Sequence, residues 1–351
     1  MSAAASVAAP LSPWASETLV FCSDASAGLR AVIAIDSTTL GPALGGVRLK
    51  AYPSDEHGAR EAQRLAAAMT LKNAVAGLPF GGGKSVIFDT GEIADRAALM
   101  RAFGEAVARL GGAYLPGVDM GTAPADLQLM RAAGATVSCA DEDPSPWTAM
   151  GVYGAIRAAV EHVDRTTDLR GLRVLVQGAG HVGAALARQL AGDGAHVLIA
   201  DVAPGRATAI AREVGGEVIA PDAVVETECD VFAPCAAAGV IGPEQVASLG
   251  CRIVAGAAND TITDDTLAAS LRGRGVLYVP DFVANAGGVI HIHALRAGWS
   301  AERLSAEIAA IGGRTGELLA RAEAEDSTPL DAAKAVAAER VAAGPLQEVA
   351  A

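Results

Sequence analysis

The sequence predicts an α/β protein of two domains with a helical C-terminal tail, and three observations support this fold class. The chain has 351 residues, which is long for one hydrophobic core and suits two domains. Hydrophobic residues make up 51% of the chain and aromatic residues only 4%, a balance typical of Ala, Val, Leu and Ile in buried parallel strands and helices. Strand-like and helix-like segments alternate along the chain, as they do in α/β folds.

Composition also limits the ligands and the compartment. The formal net charge is −13 and no run of Lys and Arg occurs, which argues against a nucleic-acid partner and favours small solutes. The cysteines are odd in number and form no C-x-x-C motif, so we expect no disulfide framework, no bound metal and a reducing, cytoplasmic location. They are Cys22, Cys139, Cys229, Cys235 and Cys251. No basic leader and no stretch of membrane-spanning length occurs, so we expect no membrane partner.

We expect a first domain over residues 1–145. Its predicted elements are strands at 20–22 and 31–35, a helix at about 55–74, a strand at 85–88, a helix at 97–110 and a strand at 114–115. Ser54 is a suitable N-cap for the first helix, which places Lys72 near its end. Asp119 follows the last strand, in a loop of the kind that carries catalytic groups in α/β proteins.

A second domain is expected over 146–324. It begins with a connecting helix at about 148–162 and continues as βαβ units to about 290. The tail, about 325–351, is rich in Ala and Glu with helical spacing. We expect this tail to be a helix that packs on the first domain or forms a subunit contact.

A glycine fingerprint in the second domain predicts dinucleotide binding. A strand at 173–177 leads directly into Gly178-Ala179-Gly180-His181-Val182-Gly183, then a helix, and then a strand at 196–200 that ends in Asp201. Such glycines permit a tight turn and close approach of the backbone to a pyrophosphate, while the acid can hold the ribose hydroxyls. This context predicts a Rossmann-type domain. Asp201 would repel a 2′-phosphate, which favours NAD over NADP despite the nearby Arg206.

Two lysines and one acid in the first domain predict a catalytic site. Lys72 and Lys84, with Asp119, supply the charges needed to hold an amino-acid carboxylate and to move protons at its α-carbon. Lys84 can act as a base near neutral pH if burial or a neighbouring cation lowers its pKa, and Lys72 could be that cation. The triple glycine before Lys84 is not a phosphate-binding P-loop, because that motif requires a glycine where this chain has Leu78.

These motifs together resemble the glutamate/leucine/phenylalanine/valine dehydrogenase superfamily. The matching segments lie in the family's order over most of residues 30–295, at 41–48, 70–73, 78–84, 117–119, 178–183, 232–235, 256–259 and 284–288. The resemblance implies reversible oxidative deamination of an L-amino acid to a 2-oxo acid and ammonia, in a homo-oligomer. It implies that Lys72 pairs with the substrate carboxylate, that Lys84 activates water and that Asp119 shuttles protons to and from the amino group.

The resemblance also implies further contacts. The implied substrate-binding residues are Leu44, Gly45, Gly46, Met69, Lys72, Gly117, Asn259, Val289 and Ile292. The implied cofactor-binding residues are Gly178, Gly180, His181, Val182, Gly183, Asp201, Val202, Arg206, Cys235, Ala236, Ala257, Asn259 and Asn285. For Asn259, a buried amide that satisfies the backbone is the alternative interpretation. The chain departs from the nonpolar branch of the family at Val47 and Asp260.

The implied pocket favours a nonpolar substrate. Glutamate-specific relatives carry a lysine where this chain has Leu44, and an unpaired buried carboxylate would cost several kcal/mol. Gly117 leaves room for a ring, whereas Val289 and Ile292 fill volume, so phenylalanine is favoured slightly over leucine or valine. A nucleotide-binding regulator without turnover and an interaction module built on the Ala-rich tail are the competing hypotheses.

His291 and His293 are two residues apart and would share one face of a strand. Metal ligation would require a third partner at a recognisable spacing, so we expect a structural role for both.

Overall fold

The computed structural model describes residues 12–91, 93–138 and 142–345, which form two compact units. The first unit takes residues up to Ala74, the segment Pro79–Glu142 and residues from Val341 onward, and the second takes Val75–Leu78 and Asp143–Arg340. The start of the chain, Cys139 and the end of the predicted tail, 346–351, lie outside the described residues.

The first unit is built on a mixed five-stranded sheet. Its strands are β1 (Thr18–Asp24), β2 (Leu29–Ser37), β3 (Ala43–Lys50), β4 (Gly81–Phe88) and β5 (Tyr114–Val118), and its helices are α1 (Asp55–Val75), α2 (Arg96–Ala108) and α3 (Pro124–Ala132). The sheet order is β1-β2-β4-β3-β5, with β3 parallel to both β4 and β5 and with β2 antiparallel to β1 and β4. Apolar side chains of β2, α2 and β5 form a buried core on one face, including Ile33, Phe103 and Tyr114.

Two strands differ from the sequence-based expectation. The structure adds β3, whose glycines resemble a turn in sequence but which is held by strands on both sides. It also begins β4 at Gly81 and not at Ser85. The glycines fit inside this strand because helix α1 lies against it: a Cβ on Gly82 would lie 2.2 Å from the backbone nitrogen of Thr70.

The second unit is built on a six-stranded parallel sheet. Its strands are β6 (Arg173–Gln177), β7 (His196–Ala200), β8 (Glu217–Val218), β9 (Val231–Pro234), β10 (Ile253–Val254) and β11 (Leu277–Tyr278), in the order β11-β10-β9-β6-β7-β8. The strand order reverses between β6 and β9, which is where doubly wound sheets bind ligands. The two strands flanking the glycine fingerprint, β6 and β7, have the predicted boundaries.

Nine helices accompany this sheet in the described part of the second unit. They are α4 (Ser145–Asp164), α5 (His181–Gly192), α6 (Pro204–Val214), α7 (Pro243–Ser248), α8 (Leu267–Gly273), α9 (Asp281–Ala284), α10 (Gly287–Ala297), α11 (Ala301–Ala324) and α12 (Pro329–Ala342). The tail helix α12 falls in the second unit up to Arg340, whereas the expected division placed about 325–351 with the first domain. Ion pairs of Lys334 with Asp265 and of Arg321 with Glu339 hold it there.

The segment with His291 and His293 is a helix, so the expectation of a strand is wrong. Helix α10 carries both residues, and residues two apart do not share a helix face. His291 is 2% exposed and stacks on Trp147 with ring centroids 5.8 Å apart, while His293 packs edge-on against Trp299. Both rings therefore have packing roles in the structure.

The described residues contain neither a metal-binding cluster nor a membrane-spanning helix. Across 12–91, 93–138 and 142–345, no group of three or more His, Cys, Asp or Glu side chains is arranged to hold a metal ion. None of the helices in the same ranges combines the length and apolar character needed to span a membrane.

Candidate active site

Three charged side chains from adjacent strands meet at one edge of the first sheet. The register sets Val47 beside Ser85 and Val118, which brings Arg48 on β3, Lys84 on β4 and Asp119 after β5 close together. The Lys84 Nζ lies 2.9 Å from Asp119 Oδ2, and the Arg48 Nε donates to the same oxygen at 2.7 Å. The structure thus brings two of the three predicted catalytic residues into contact.

The paired glycines make this approach possible. A Cβ on Gly46 would lie 2.7 Å from the Cβ of Asp119 and 3.3 Å from the Lys84 Nζ. A Cβ on Gly45 would lie 1.7 Å from the Gly83 carbonyl oxygen and 3.3 Å from the Met69 Cγ. Any larger residue at either position would displace the strand or the charged cluster.

Lys72 lies in the last turn of α1, three residues beyond Met69. Residues three apart share a helix face, so Lys72 is on the side of α1 whose Met69 side chain packs over the paired glycines. Its side chain is half-buried. The predicted carboxylate-binding lysine therefore lies on the helix that covers the charged cluster.

Burial and charge set the protonation of this cluster. Burial lowers the pKa of Lys84, which is 7% exposed, and the Asp119 carboxylate opposes that effect. For Asp119, burial raises the pKa but the Lys84 ammonium and the Arg48 guanidinium outweigh it, so that the pKa falls to about 2. Asp119 is therefore a carboxylate at neutral pH. The Lys84 ammonium loses its proton more readily than that of a solvated lysine.

Sequence reasoning missed Arg48 as a residue of this site. Arg48 is a neighbouring cation that lowers the pKa of Lys84, in addition to the Lys72 expected from the sequence. Arg48 also pairs with Glu61 of α1, which ties the helix to the charged cluster. The sequence signal was present in Gly45-Gly46-Val47-Arg48, where the arginine follows the paired glycines on the same strand.

A buried tyrosine braces the glycine strand. The Tyr114 hydroxyl donates to the Gly45 carbonyl oxygen at 2.9 Å and lies 3.0 Å from the Ser85 Oγ. Burial raises the pKa of Tyr114, so the hydroxyl remains protonated. This contact fixes the backbone of β3 at the point where Lys84 and Asp119 approach it.

The space at Gly117 is filled, which corrects the argument that it leaves room for an aromatic ring. A Cβ on Gly117 would lie 2.8 Å from the Ser138 Oγ. Ser138 is 7% exposed, and its hydroxyl has no hydrogen-bond partner among the described residues. The missing methyl group therefore accommodates a serine, which sequence reasoning had not singled out. Leu44, also on the first unit, is 1% exposed.

The remaining predicted substrate residues lie in the second unit. Val289 and Ile292 are half-buried on α10, three residues apart and hence on one side of the helix. Asn259 is exposed, so the alternative of a buried, backbone-satisfying amide fits Asn285 better. Asn285 is 6% exposed, and its amide donates to the Ala257 carbonyl oxygen at 3.0 Å and to the Asn259 Oδ1 at 2.9 Å.

The glycine fingerprint forms the turn between β6 and α5. Gly178 has a φ of +102°, and a Cβ there would lie 2.7 Å from the Cβ of Ala236. A Cβ on Gly183 would lie 1.8 Å from the Gly178 carbonyl oxygen, so this glycine lets the helix start against the strand. Gly180 has open space around it, with no neighbouring atom within 4 Å of a Cβ. The turn fits a pyrophosphate, which requires unobstructed backbone at the helix N-terminus.

Asp201 braces this turn. Its carboxylate accepts the backbone N–H of Ala179 at 2.8 Å and that of Ala203 at 2.7 Å, and these bonds lower its pKa although burial opposes them. Its side chain is 7% exposed, while the neighbouring Val202 is 85% exposed. Arg206 lies 3.8 Å from Asp201. The acid expected to hold the ribose thus also holds the glycine turn in place.

Three other predicted cofactor residues lie around the same edge. His181, the first residue of α5, is exposed and its Nδ1 lies 2.9 Å from the Asp143 Oδ2. Cys235 follows β9, with its backbone N–H donating to the Gln177 carbonyl oxygen at 2.7 Å. Ala257 follows β10 and donates to the Pro234 carbonyl oxygen at 2.8 Å. All three lie at the carboxyl ends of parallel strands or at a helix N-terminus.

Comparisons with known proteins agree with this geometry. Residues 17–135 match the model of the Glu/Leu/Phe/Val dehydrogenase dimerisation domain, residues 205–347 match that of Glutamate/Leucine/Phenylalanine/Valine dehydrogenase, and residues 173–235 match that of coenzyme F420-dependent NADP oxidoreductase. Leucine dehydrogenase of Thermoactinomyces intermedius is 38% identical, over 84% of this chain and 82% of the relative. Valine dehydrogenase of Streptomyces virginiae is 39% identical over 93% of each chain.

A solved structure is also similar. The crystal structure of L-tryptophan dehydrogenase from Nostoc punctiforme superposes with a TM-score of 0.81 at 34% identity, covering 94% of this chain and 96% of that one. The fold class and the resemblance inferred from the sequence are both confirmed. The chain belongs to the Glu/Leu/Phe/Val dehydrogenase family, and it is an NAD(P)-dependent oxidoreductase that acts on amino acids.

Proposed function

We propose that this enzyme catalyses the reversible NAD-dependent oxidative deamination of leucine or valine to the 2-oxo acid and ammonia. The observation that carries the proposal is the buried Lys84, held 2.9 Å from Asp119 beside Gly46. A buried lysine with a lowered pKa is the type of group that serves as a general base near neutral pH. The paired glycines lack side chains, and this leaves the space that the charged cluster occupies.

The residues of the first unit divide the chemistry among them. Lys72 pairs with the substrate carboxylate and fixes the orientation of the α-carbon. Lys84, in its neutral form, takes a proton from the water that attacks the imine carbon. Asp119, ionised by its two cationic neighbours, accepts hydrogen bonds from the substrate amino group and passes protons to and from it. Its pKa of about 2 makes it a weak base, so the deprotonation of water belongs to Lys84.

The glycine turn at 178–183 would hold the pyrophosphate of the dinucleotide, with Asp201 at the ribose. When bound, the nicotinamide accepts the hydride that leaves the substrate α-carbon. NAD is preferred over NADP because the Asp201 carboxylate would repel a 2′-phosphate. Arg206 weakens this preference only slightly, because its guanidinium already pairs with the Asp201 carboxylate at 3.8 Å.

Leucine and valine fit better than phenylalanine. The relatives reported above include leucine and valine dehydrogenases, which supports a branched aliphatic substrate. Ser138 occupies the space at Gly117 that the argument for an aromatic substrate required. Leu44 offers no charge to a second carboxylate, whose unpaired burial would cost several kcal/mol. A branched aliphatic side chain meets these conditions.

The enzyme acts as a homo-oligomer assembled through its first unit. The matching family model at 17–135 is described as a dimerisation domain. Strand β1 is an edge of the first sheet and exposes Phe21, which is 60% exposed. An edge strand with an exposed aromatic residue is a surface that a second chain can cover.

The test is NADH formation at alkaline pH with a panel of L-amino acids. We expect the highest kcat/KM for leucine or valine, lower values for phenylalanine and tryptophan, and negligible activity on glutamate. Repeating the panel with NADP should give at least tenfold lower kcat/KM. Saturable NADH binding without turnover on any amino acid would instead support the catalytically inactive, nucleotide-binding regulator.

A further inference from the structure

Two cysteines lie side by side at the amino-terminal ends of neighbouring parallel strands. Cys229 stands two residues before Val231 of β9, and Cys251 stands two residues before Ile253 of β10. The register pairs Val231 with Ile253, so the two cysteines occupy equivalent positions. The Cys229 backbone N–H donates to the Gly250 carbonyl oxygen at 3.0 Å, which shows that the two segments remain in contact up to the cysteines.

The two thiols are close enough to affect each other's ionisation. Each thiol is the largest influence on the pKa of the other. Neighbouring strands lie about 4.8 Å apart. This separation is within the range of roughly 4.4–6.8 Å that disulfide-linked Cα atoms span.

The environment separates the two thiols into an attacking and a resolving group. The neighbouring Cys251 thiol lowers the pKa of the Cys229 thiol, although burial and the adjacent Asp230 carboxylate oppose this effect, and the nearby Arg173 also lowers it. The Cys229 thiol and burial raise the pKa of Cys251. Cys229 is half-buried, whereas Cys251 is 9% exposed. A small oxidant therefore reaches Cys229 first.

We propose that Cys229 and Cys251 are a modification site, a thiol pair that a hydroperoxide converts to a reversible disulfide. The Cys229 thiolate attacks a peroxide oxygen, the O–O bond breaks, and with one proton a sulfenic acid and water form. The Cys251 sulfur then attacks the Cys229 sulfur, the S–O bond breaks, and the Cys251 proton leaves with the hydroxide as water. Two thiols and one hydrogen peroxide thus give one disulfide and two waters, and an added dithiol restores the thiols by exchange.

This site is separate from the proposed active site. The cofactor-binding residues around β9 and β10 follow the carboxyl ends of these strands, whereas the cysteines precede the amino ends. The bridge would close the loop from 229 to 251, which contains β9 and α7. Its formation can be measured without any assay of catalysis.

The experiment maps the disulfide in the full-length, wild-type protein. The reduced protein is treated with hydrogen peroxide, quenched with catalase, alkylated under denaturing conditions and cleaved before aspartate. This cleavage gives fragments 222–229 and 230–259, so that Cys229 is separated from Cys235 and Cys251. We expect the two fragments to be joined, with fragmentation assigning the link to Cys251, and dithiothreitol to release them.

Two variants sharpen the result. Cys251→Ser retains a hydrogen-bond donor but removes the second sulfur, so Cys229 should accumulate as a sulfenic acid that dimedone labels. Cys22→Ser removes a half-buried thiol of the first unit and should leave the bridge unchanged. The proposal is overturned if peroxide oxidises other cysteines of the wild-type protein while Cys229 and Cys251 are both recovered as alkylated thiols. It is equally overturned if Cys229 links to Cys235.

Discussion

A lysine serves as a base near neutral pH only where its surroundings disfavour the ammonium form, and the position of Lys84 meets this condition. Burial lowers its pKa and the Arg48 guanidinium adds to that effect, while the Asp119 carboxylate opposes it. Lys50 of β3, by contrast, is exposed to solvent. The distinction lies in the neighbours and not in the residue type.

Lys84→Ala should retain cofactor binding and lose turnover. Removal of a general base lowers the rate by about 10²–10⁴-fold, so we expect less than about one hundredth of the wild-type kcat. NADH binding, followed by fluorescence, should be unchanged because the glycine turn belongs to the other unit. The matched control is Lys50→Ala, whose ammonium lies over the Tyr52 ring. Residual activity well above one hundredth would remove Lys84 from the role of base.

Arg48→Gln should shift the pH dependence of kcat/KM to higher pH. The base must be neutral to act, so activity rises as pH increases through the lowered pKa of Lys84. Loss of the Arg48 cation raises that pKa, so the acid limb of the pH profile should move to higher pH. Arg96→Gln, which breaks the Arg96–Asp126 pair elsewhere in the same unit, should leave the limb in place. A downward shift in Arg48→Gln would contradict the assigned electrostatics.

At the scale of elements, glycines decide where strands and helices can meet. The glycines of β4 let α1 lie against the sheet, and the paired glycines of β3 let Lys84 and Asp119 meet above the backbone. In the second unit, Gly183 serves packing while Gly180 leaves open space. Sequence reasoning recognised each glycine motif. It could not distinguish packing from ligand access, because that distinction depends on what lies opposite each Cα.

Gly180→Ala and Gly183→Ala should separate these two roles. A Cβ at 183 collides with the Gly178 carbonyl oxygen, so that variant should lose stability by about 1–3 kcal/mol, which is roughly 2–12 °C in thermal midpoint. A Cβ at 180 meets no protein atom, so its midpoint should be unchanged while NADH binds at least tenfold more weakly. Calorimetry and NADH titration measure the two effects. Equal stability losses in both variants would refute this division.

Gly117→Ala and Ser138→Ala should be coupled. The new methyl group at 117 would lie 2.8 Å from the Ser138 Oγ but 4.0 Å from its Cβ, so removal of the hydroxyl relieves the collision. We expect Gly117→Ala to destabilise the protein by about 1–3 kcal/mol, and the double variant to recover most of that loss. Thermal midpoints of the wild type, both single variants and the double variant measure the coupling. Additive losses would show that Ser138 does not fill the space at Gly117.

At the scale of the whole molecule, both sheets end in edge strands that expose an apolar side chain. Phe21 on β1 is 60% exposed and Val218 on β8 is 50% exposed. Such edges are covered in many oligomers, since open backbone groups can pair with another chain. The family model described as a dimerisation domain covers only the first of these two edges.

Phe21→Asp should therefore disrupt the assembly, whereas Val218→Asp should not. A charge placed in an apolar interface loses its water without gaining a partner, which costs several kcal/mol. The oligomer should therefore dissociate into smaller species at micromolar concentration. Size-exclusion chromatography with light scattering measures the mass of each variant. Assembly that survives Phe21→Asp but is lost in Val218→Asp would place the interface on the second unit.

The sequence by itself determined the two-domain α/β class, the glycine turn for the dinucleotide and the membership of an amino-acid dehydrogenase family. These follow from local patterns, since turn glycines, strand lengths and the acid after β7 lie close together in the chain. Only the tertiary structure showed that β3 is an internal strand, that the Arg48 guanidinium lowers the pKa of Lys84, and that Ser138 fills the space at Gly117. Each of these depends on contacts between residues far apart in sequence, and strand register and burial, which local patterns do not encode, decide those contacts.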